Sequence, residues 1–437
     1  MAFAGAYRWT TIPICAGVVV LAVLARPSIG RRRDVVLDAA LLLCLAATAA
    51  QLIPLQPSTR DRLSPEAFAV DRVDAIGPEP SVRPAHPLSV DVESTGWALA
   101  LGAAYIGLFW CARAIFAGGG IRSTVRGVSW LGLMLTTLVA VQRATAPSLL
   151  YWTWKPLSVG ASPYGPFVNR NNLATWLAMA IPLTVGYAVA RYQSRQRDGS
   201  ATLSGSFDAT QLSLAGSAVL MTAGLLASLS RAGTLGAGAG LALFVVLSGR
   251  RIRGAAGRLW IGAALALMVV AASLYGNIGG LLLRMQSTTE QGEWGRPVIW
   301  RDTWRMAQDF RLTGIGAGAF EHAMLQYQQG SRLFFFNHAH NEYLQILAEG
   351  GLLVAVPAAL ALLAAIGLMA TYASRDRTSM FSVRAGAIAG LFAVAVQSVW
   401  DTGLRMPANG VLFAVVAAIA LHEPRQASTG AGTRGRT

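Results

Sequence analysis

Charged side chains are scarce in this chain. They make up 13% of 437 residues, against about 25% in an average soluble domain, which excludes a soluble multidomain protein. Lysine is nearly missing: Lys155 is the only one, so the formal charge of +15 belongs almost wholly to arginine. In a soluble domain such a charge would suggest nucleic acid. Here the arginines fall in short segments between apolar runs, where membrane orientation accounts for them, and no nucleic-acid partner is expected. The three cysteines, Cys15, Cys44 and Cys111, each lie inside an apolar run. They have neither metal-site spacing nor the pattern of a disulfide framework. Histidine is rare, with five in all, and no internal repeat is evident.

What the sequence has in quantity is apolar length. Hydrophobic residues make up 54% of it, and runs of 18 or more can each cross about 30 Å of hydrocarbon. We read eleven spans, at about 11–26, 35–55, 96–116, 128–147, 171–190, 211–228, 234–249, 259–276, 349–372, 386–401 and 408–422. The stretch 212–248 is too long for one helix and breaks at Ser230-Arg231-Ala232-Gly233, making a hairpin of two spans. The first apolar stretch, Thr11 to Leu24, carries its positive charge after it (Arg26, Arg31, Arg32, Arg33). That is the reverse of a signal peptide, so the expectation is a retained span with the N-terminus outside.

Short arginine-bearing loops at 31–33, 113–126, 191–197, 250–258 and 375–384 fall on one side. The positive-inside rule makes that side, and the C-terminus, cytoplasmic. Loops 56–95, 148–170, 230–233, 277–348 and 402–407 then face outward. Loop 56–95, rich in Pro, Asp and Arg, reads as an irregular cap. In loop 277–348, Pro297 suits a first helical turn. From Val298 to Phe310 the pairs Trp300/Trp304 and Arg301/Arg305 make neighbouring stripes of an amphipathic helix at headgroup level. Asn337 offers an N-cap for a helix from about His338 through Glu349, with Gly350-Gly351 loosening its junction to the next span. The fold class expected is an all-α polytopic membrane protein, one transmembrane domain over residues 1–422 followed by a disordered cytoplasmic tail at 423–437.

Polar residues that could carry chemistry gather in the outward segments. Phe336-Asn337-His338-Ala339-His340-Asn341-Glu342 holds two of the five histidines. Imidazole titrates near neutrality and can take a proton from a sugar hydroxyl, while a helix start beside it favours phosphate. The plainer alternative is a capping segment whose histidines bond to loop carbonyls. A metal site is not expected, because no Cys or third His lies nearby. Arg231 interrupts an apolar stretch, at a cost of about 2.5–3.5 kcal/mol at the bilayer centre. Its planar fork suits a diphosphate, although a partner acid such as Asp401 would also satisfy it. Arg296, at the start of the amphipathic helix, suits either an anion or a headgroup. Asn169, Arg170 and Asn171 precede the fifth span, where amides could bond sugar hydroxyls or cap the helix. His86, His322 and His422 receive no role.

Taken together, these segments resemble the O-antigen ligase and polymerase superfamily. Its members carry an outer-loop His followed by Asn, Ser or Gln, then nine residues, then Gly; here His340-Asn341 reaches Gly351. The ligase form asks for Gly, Thr or Tyr three positions later, where this chain has Val354. Phe167 to Asn171, the Ser230-Arg231 hairpin and the stretch from Arg296 to Phe320, with Gly314-Ile315-Gly316-Ala317-Gly318, follow the family's order of segments over about residues 150–420. The resemblance implies a GT-C-like fold in the bacterial inner membrane, with loop 277–348 catalytic and periplasmic. It implies a metal-independent, cofactor-free, inverting glycosyltransferase that uses an undecaprenyl-diphosphate-linked glycan as donor. The acceptor would be lipid A core in a ligase, another glycan in a polymerase, or a protein hydroxyl in an O-oligosaccharyltransferase. His340, with His338 beside it, would handle the acceptor proton. Arg231 and Arg296 would hold the diphosphate, and Asn341, Asn169, Arg170 and Asn171 would touch substrate. A transporter, with no covalent chemistry, is the competing class; it would place ionisable residues deep in paired halves.

Overall fold

Glycine spacing decides how closely the central helices approach. In the computed structural model, which describes residues 2–30, 33–74, 84–156, 163–197, 208–249, 296–329 and 335–423, α7 (Arg170–Arg197) is sheathed by protein along nearly its whole length. α13 (Met380–Gln397) lies along it. Gly186 of α7 faces Gly386, and a Cβ on Gly390 would sit 2.7 Å from the Met179 carbonyl oxygen. α9 (Arg231–Gly249) packs on the same helix through Gly236 and Gly240, where an added Cβ would meet the Ala393 and Ala389 carbonyls. Small residues at a spacing of four allow backbones to touch, and in a bilayer that contact is a main source of helix association.

Around this centre stand α1 (Thr11–Ala25), α2 (Val35–Ala50), α5 (Val92–Gly118), α6 (Ile121–Thr145), α8 (Ala209–Ala227), α12 (Glu342–Arg375) and α14 (Pro407–Ala420). Four short helices, α3 (Pro57–Leu63), α4 (Ala67–Asp74), α10 (Arg296–Asp309) and α11 (Phe320–Tyr327), cover one end. Eight of the described helices are long and apolar enough to cross a membrane, and α2 and α14 are shorter apolar helices. The chain is therefore an all-helical, multi-pass membrane protein. The expected span 259–276 and the tail from 424 onward lie outside the described residues.

Three expectations need correction. Loop 56–95 is not wholly irregular, since Pro57 starts α3 and Ala67 opens α4. The span drawn at 386–401 ends at Gln397, which leaves Asp401 in the following loop. The N-cap is Asn341, not Asn337: its side chain accepts the Leu344 N–H at 3.0 Å, while the loosened junction expected at Gly350-Gly351 is present as a kink at Gly351 inside α12. Residues 338–340 cannot join that helix, because His340 takes a left-handed φ of 52°, which interrupts a right-handed helix.

The bundle has two chemically distinct ends. At one, Arg113 pairs with Asp34, Arg191 with Asp208, and Arg384 with Asp376. At the other, Gln51 reaches Thr313, Asn409 reaches Asn172, and Gln397 reaches Thr175. Every predicted site residue lies at this second end, opposite the arginine-rich loops.

Candidate active site

The floor of the site is a break in α12. Gly351 (φ 53°) interrupts the helix, and the segment Arg311–Gly316 is stitched into the gap. Leu352 and Leu353 N–H groups donate to the Arg311 and Leu312 carbonyls (2.8 and 3.0 Å), while Ile315 and Gly316 donate to Ala348 and Glu349 (3.1 and 3.0 Å). Both strands of this contact need glycine: a Cβ on Gly314 would lie 2.2 Å from the Glu349 carbonyl oxygen, and one on Gly351 would lie 2.5 Å from the Gly314 nitrogen. Gln51 of α2 clamps the arrangement, donating to the Thr313 and Glu349 carbonyls (2.7 and 2.9 Å) and accepting from Ala317 N–H (3.1 Å). This stitching fixes α10, which carries Arg296, against the start of α12.

The histidine segment is held from two sides. Trp300 of α10 donates its indole N–H to the Ala339 carbonyl at 3.0 Å, and Ala339 N–H donates to Gln345 Oε1 at 2.9 Å. Gln345 is fully buried; its amide nitrogen lies 3.3 Å from His338 Nδ1 and donates to Glu349 Oε1 at 2.9 Å. Arg405, in the loop before α14, then bridges two acids. It meets Glu349 at 2.9 and 3.0 Å and Glu342 at 3.1 Å. Burial opposes its charge, but those two carboxylates outweigh burial and raise its pKa. His338 therefore belongs to a closed network. Burial, the nearby Arg405 cation and His340 push its pKa down to about 3.

His340 faces a different set of neighbours. Its Nδ1 is buried without a hydrogen-bond partner among the described residues. Burial lowers its pKa, Asp401 works against that, and Arg296 adds to it. Asp401 is raised by burial and eased back by the Thr402 N–H (2.9 Å), His340 and Arg296. Arg296 is lowered by burial, held charged by Asp401 and pushed the other way by Arg231. Four groups thus converge in electrostatic reach: His340, Asp401, Arg296 and Arg231. Both guanidinium-bearing residues open onto the exterior, and neither makes an ion pair with a described residue. Arg231 is the first residue of α9, so its charge adds to the positive end of that helix.

The asparagine segment plays a local part. Asn169 Oδ1 accepts the Asn171 N–H at 2.9 Å, the Asn171 carbonyl accepts from Thr175 at 3.0 Å and Gln397 at 3.4 Å, and Arg170 is exposed at the start of α7. Asn341 spends its side-chain oxygen on the cap. These residues share the end of the bundle with the histidines, but the bonds described here are structural. Among the described residues, no three of His, Cys, Asp and Glu form a metal-ion cluster.

Residues 216–359 match the family model described as O-antigen ligase. Over this stretch, about a third of its length, the chain is similar to that family. The match contains Arg231, Arg296, His338 and His340, and it stops short of Asp401 and Arg405. It supports a membrane glycosyltransferase of the O-antigen ligase or polymerase type, with glycan-linked substrates. No curated protein matches the chain closely. Sequence reasoning had named Asp401 only as a possible partner for Arg231 and missed Gln345 and Arg405. Their one legible feature is polarity or charge close to the ends of apolar spans.

Proposed function

We propose that this chain, similar over residues 216–359 to the O-antigen ligase family, is an inverting, metal-independent glycosyltransferase of the bacterial inner membrane. Its glycan comes from undecaprenyl diphosphate, its site faces the periplasm, and its acceptor is a hydroxyl of lipid A core. The observation carrying this reading is the unpartnered, buried Nδ1 of His340 beside Asp401 and Arg296, with Arg231 next to Arg296. A base and two open cations are what the reaction requires. The acceptor oxygen forms a bond to the anomeric carbon from the face opposite the leaving group. Its proton passes to the neutral imidazole. The bond from that carbon to the diphosphate oxygen breaks, and its electron pair leaves with the diphosphate. The two guanidinium groups meet the charge that develops there, a form of stabilisation often worth more than any other single contribution. Of the two histidines, His340 is the base in this scheme, because His338 is engaged with Gln345.

The test is transfer by the purified full chain from undecaprenyl-diphosphate glycan, with lipid A core, a second glycan and a Ser/Thr peptide offered side by side. Activity with lipid A core that persists in EDTA, with inversion at the anomeric carbon, is the expected result. Transfer only to glycan or only to peptide moves the protein to polymerase or protein glycosylation. A requirement for Mg²⁺ ends the metal-independent mechanism.

A further inference from the structure

The arginine-rich end holds a cavity that the transfer reaction does not use. Its volume is about 260 Å³, and it is lined by Arg122, Arg191 and Arg195 together with Tyr187, Ser194 and Ser379. Ala190 and Met380 give it an apolar border. Arg191 and Arg195 share one carboxylate, that of Asp208, which Arg195 meets at 3.1 Å. Arg122 is exposed at the start of α6. Among the described residues at the cavity, three cations stand against one acid, which leaves positive charge in excess.

Two further features have the same sign. α6 and α13 both begin at this cavity; Gly120 supplies no side-chain cap to α6, and at the start of α13 the Met380 N–H donates to Thr378 Oγ1 at 3.2 Å. Two helix starts direct partial positive charge into the same space. The surroundings also set the depth. The lining comes from the first turns of α6 and α13 and the last turns of α7, the ends of three helices long and apolar enough to cross a membrane. A hydrated phosphate from bulk water has no use for the apolar border, whereas a lipid presents an anionic phosphate and an acyl chain together.

We propose that this cavity is a binding site for the phosphate of an anionic phospholipid in the leaflet at the arginine-rich end. The phosphodiester sits among Arg122, Arg191 and Arg195, and the glycerol and acyl portion runs out past Ala190 and Met380. The site is independent of glycan transfer. Bulk positive charge alone would not produce it, because what distinguishes it is convergence: three guanidinium groups from two helices and the positive starts of two helices at one cavity.

The experiment is native mass spectrometry of the purified full chain titrated with phosphatidylglycerol, phosphatidylcholine or inorganic phosphate. Three proteins are compared: the wild type, Arg122→Gln and Arg375→Gln. Arg375 ends α12 at the same end and does not line the cavity. The expected result is selective retention of phosphatidylglycerol by the wild type, weakened about fivefold in Arg122→Gln and unchanged in Arg375→Gln. Thermal unfolding in detergent, with and without the lipid, should report the same ranking through the shift in Tm. Equal retention of phosphatidylcholine overturns the proposal, as does equal weakening by Arg375→Gln, which would mean diffuse surface charge. Inorganic phosphate that displaces the lipid at equal concentration makes this a free-anion site and also overturns it.

Discussion

Arg384 and Arg231 are both arginines at the end of an apolar helix, and the protein treats them in opposite ways. Arg384 is fully buried, and all three of its nitrogens are met: Nε and one terminal nitrogen by Asp376 (3.3 and 3.2 Å), the other by the Ala420 carbonyl (2.6 Å), with His422 Nε2 at 3.2 Å. Its neighbours are equally complete. Asp34 accepts from Arg113 and from Tyr372 (3.0 Å), and Asp38 accepts from Trp110 (2.9 Å). At the other end Arg231 and Arg296 face outward without an ion pair to a described residue, and His340 Nδ1 has no described partner. A charge whose contacts are all satisfied within the fold holds helices together. A charge left open beside a buried, unfilled imidazole is free to meet a substrate. Arg405 sharpens the contrast, since it lies at the site end and its charge is paired with both Glu342 and Glu349.

The comparison breaks most clearly at His340. His340→Ala should cut glycan transfer by about 10²–10⁴-fold, the usual share of a general base, with unfolding in detergent unchanged. A drop in transfer matched by a drop in folded protein would make His340 structural. Next in size is Arg384→Ala. It should lower stability by about 3–5 kcal/mol, because it removes the buried guanidinium paired with Asp376 Oδ2, and reduce activity only as far as folded protein is lost. Arg231→Lys should leave folding intact and lower kcat/KM by roughly ten- to a hundredfold, about one or two powers of ten at ~1.4 kcal/mol each, because an ammonium cannot reproduce the two-pronged contact. Near-normal transfer in that variant would remove Arg231 from the diphosphate site.

How much of this could be read beforehand follows from where each signal sits in the chain. The histidines stand out because the residue is rare, and Arg231 because it interrupts an apolar stretch. The helix periods of α5 to α9 are written in runs of local sequence. The cap of α12 was not legible, because Asn337 and Asn341 are equal candidates by residue type. The choice is made by Trp300 and Gln345, which hold Ala339 outside any helix. The Arg405–Glu349 pair spans 56 residues, and Asp401 reaches His340 only because α13 stops at Gln397. Contacts of that kind depend on how helices pack, and hydrophobic periodicity says which face is buried without saying against what.

The smallest effect expected is also the most diagnostic, because it reads the environment of His340 directly. Burial lowers the pKa of this imidazole below its ordinary 6.5, with Asp401 resisting the shift. His340 is therefore neutral at pH 7, as the proposed base must be, and the acid limb of kcat/KM should have its midpoint below 6.5. Asp401→Asn removes the opposing charge, so the limb should move further toward acid by a fraction of a unit or more. Were Asp401 simply a packing residue, the limb would stay where it is while activity fell. Stability should follow the same sign. His338, held near 3, and His340 both take up protons more readily when unfolded. Their contribution is complete above about pH 6.5 and declines as the pH falls from there toward 3, because the unfolded chain binds the protons first. Tm measured from pH 7.5 to 4.5 should fall in the wild type and fall less in His338→Gln. An equal slope in both proteins would place His338 outside the closed network that Gln345 and Arg405 define.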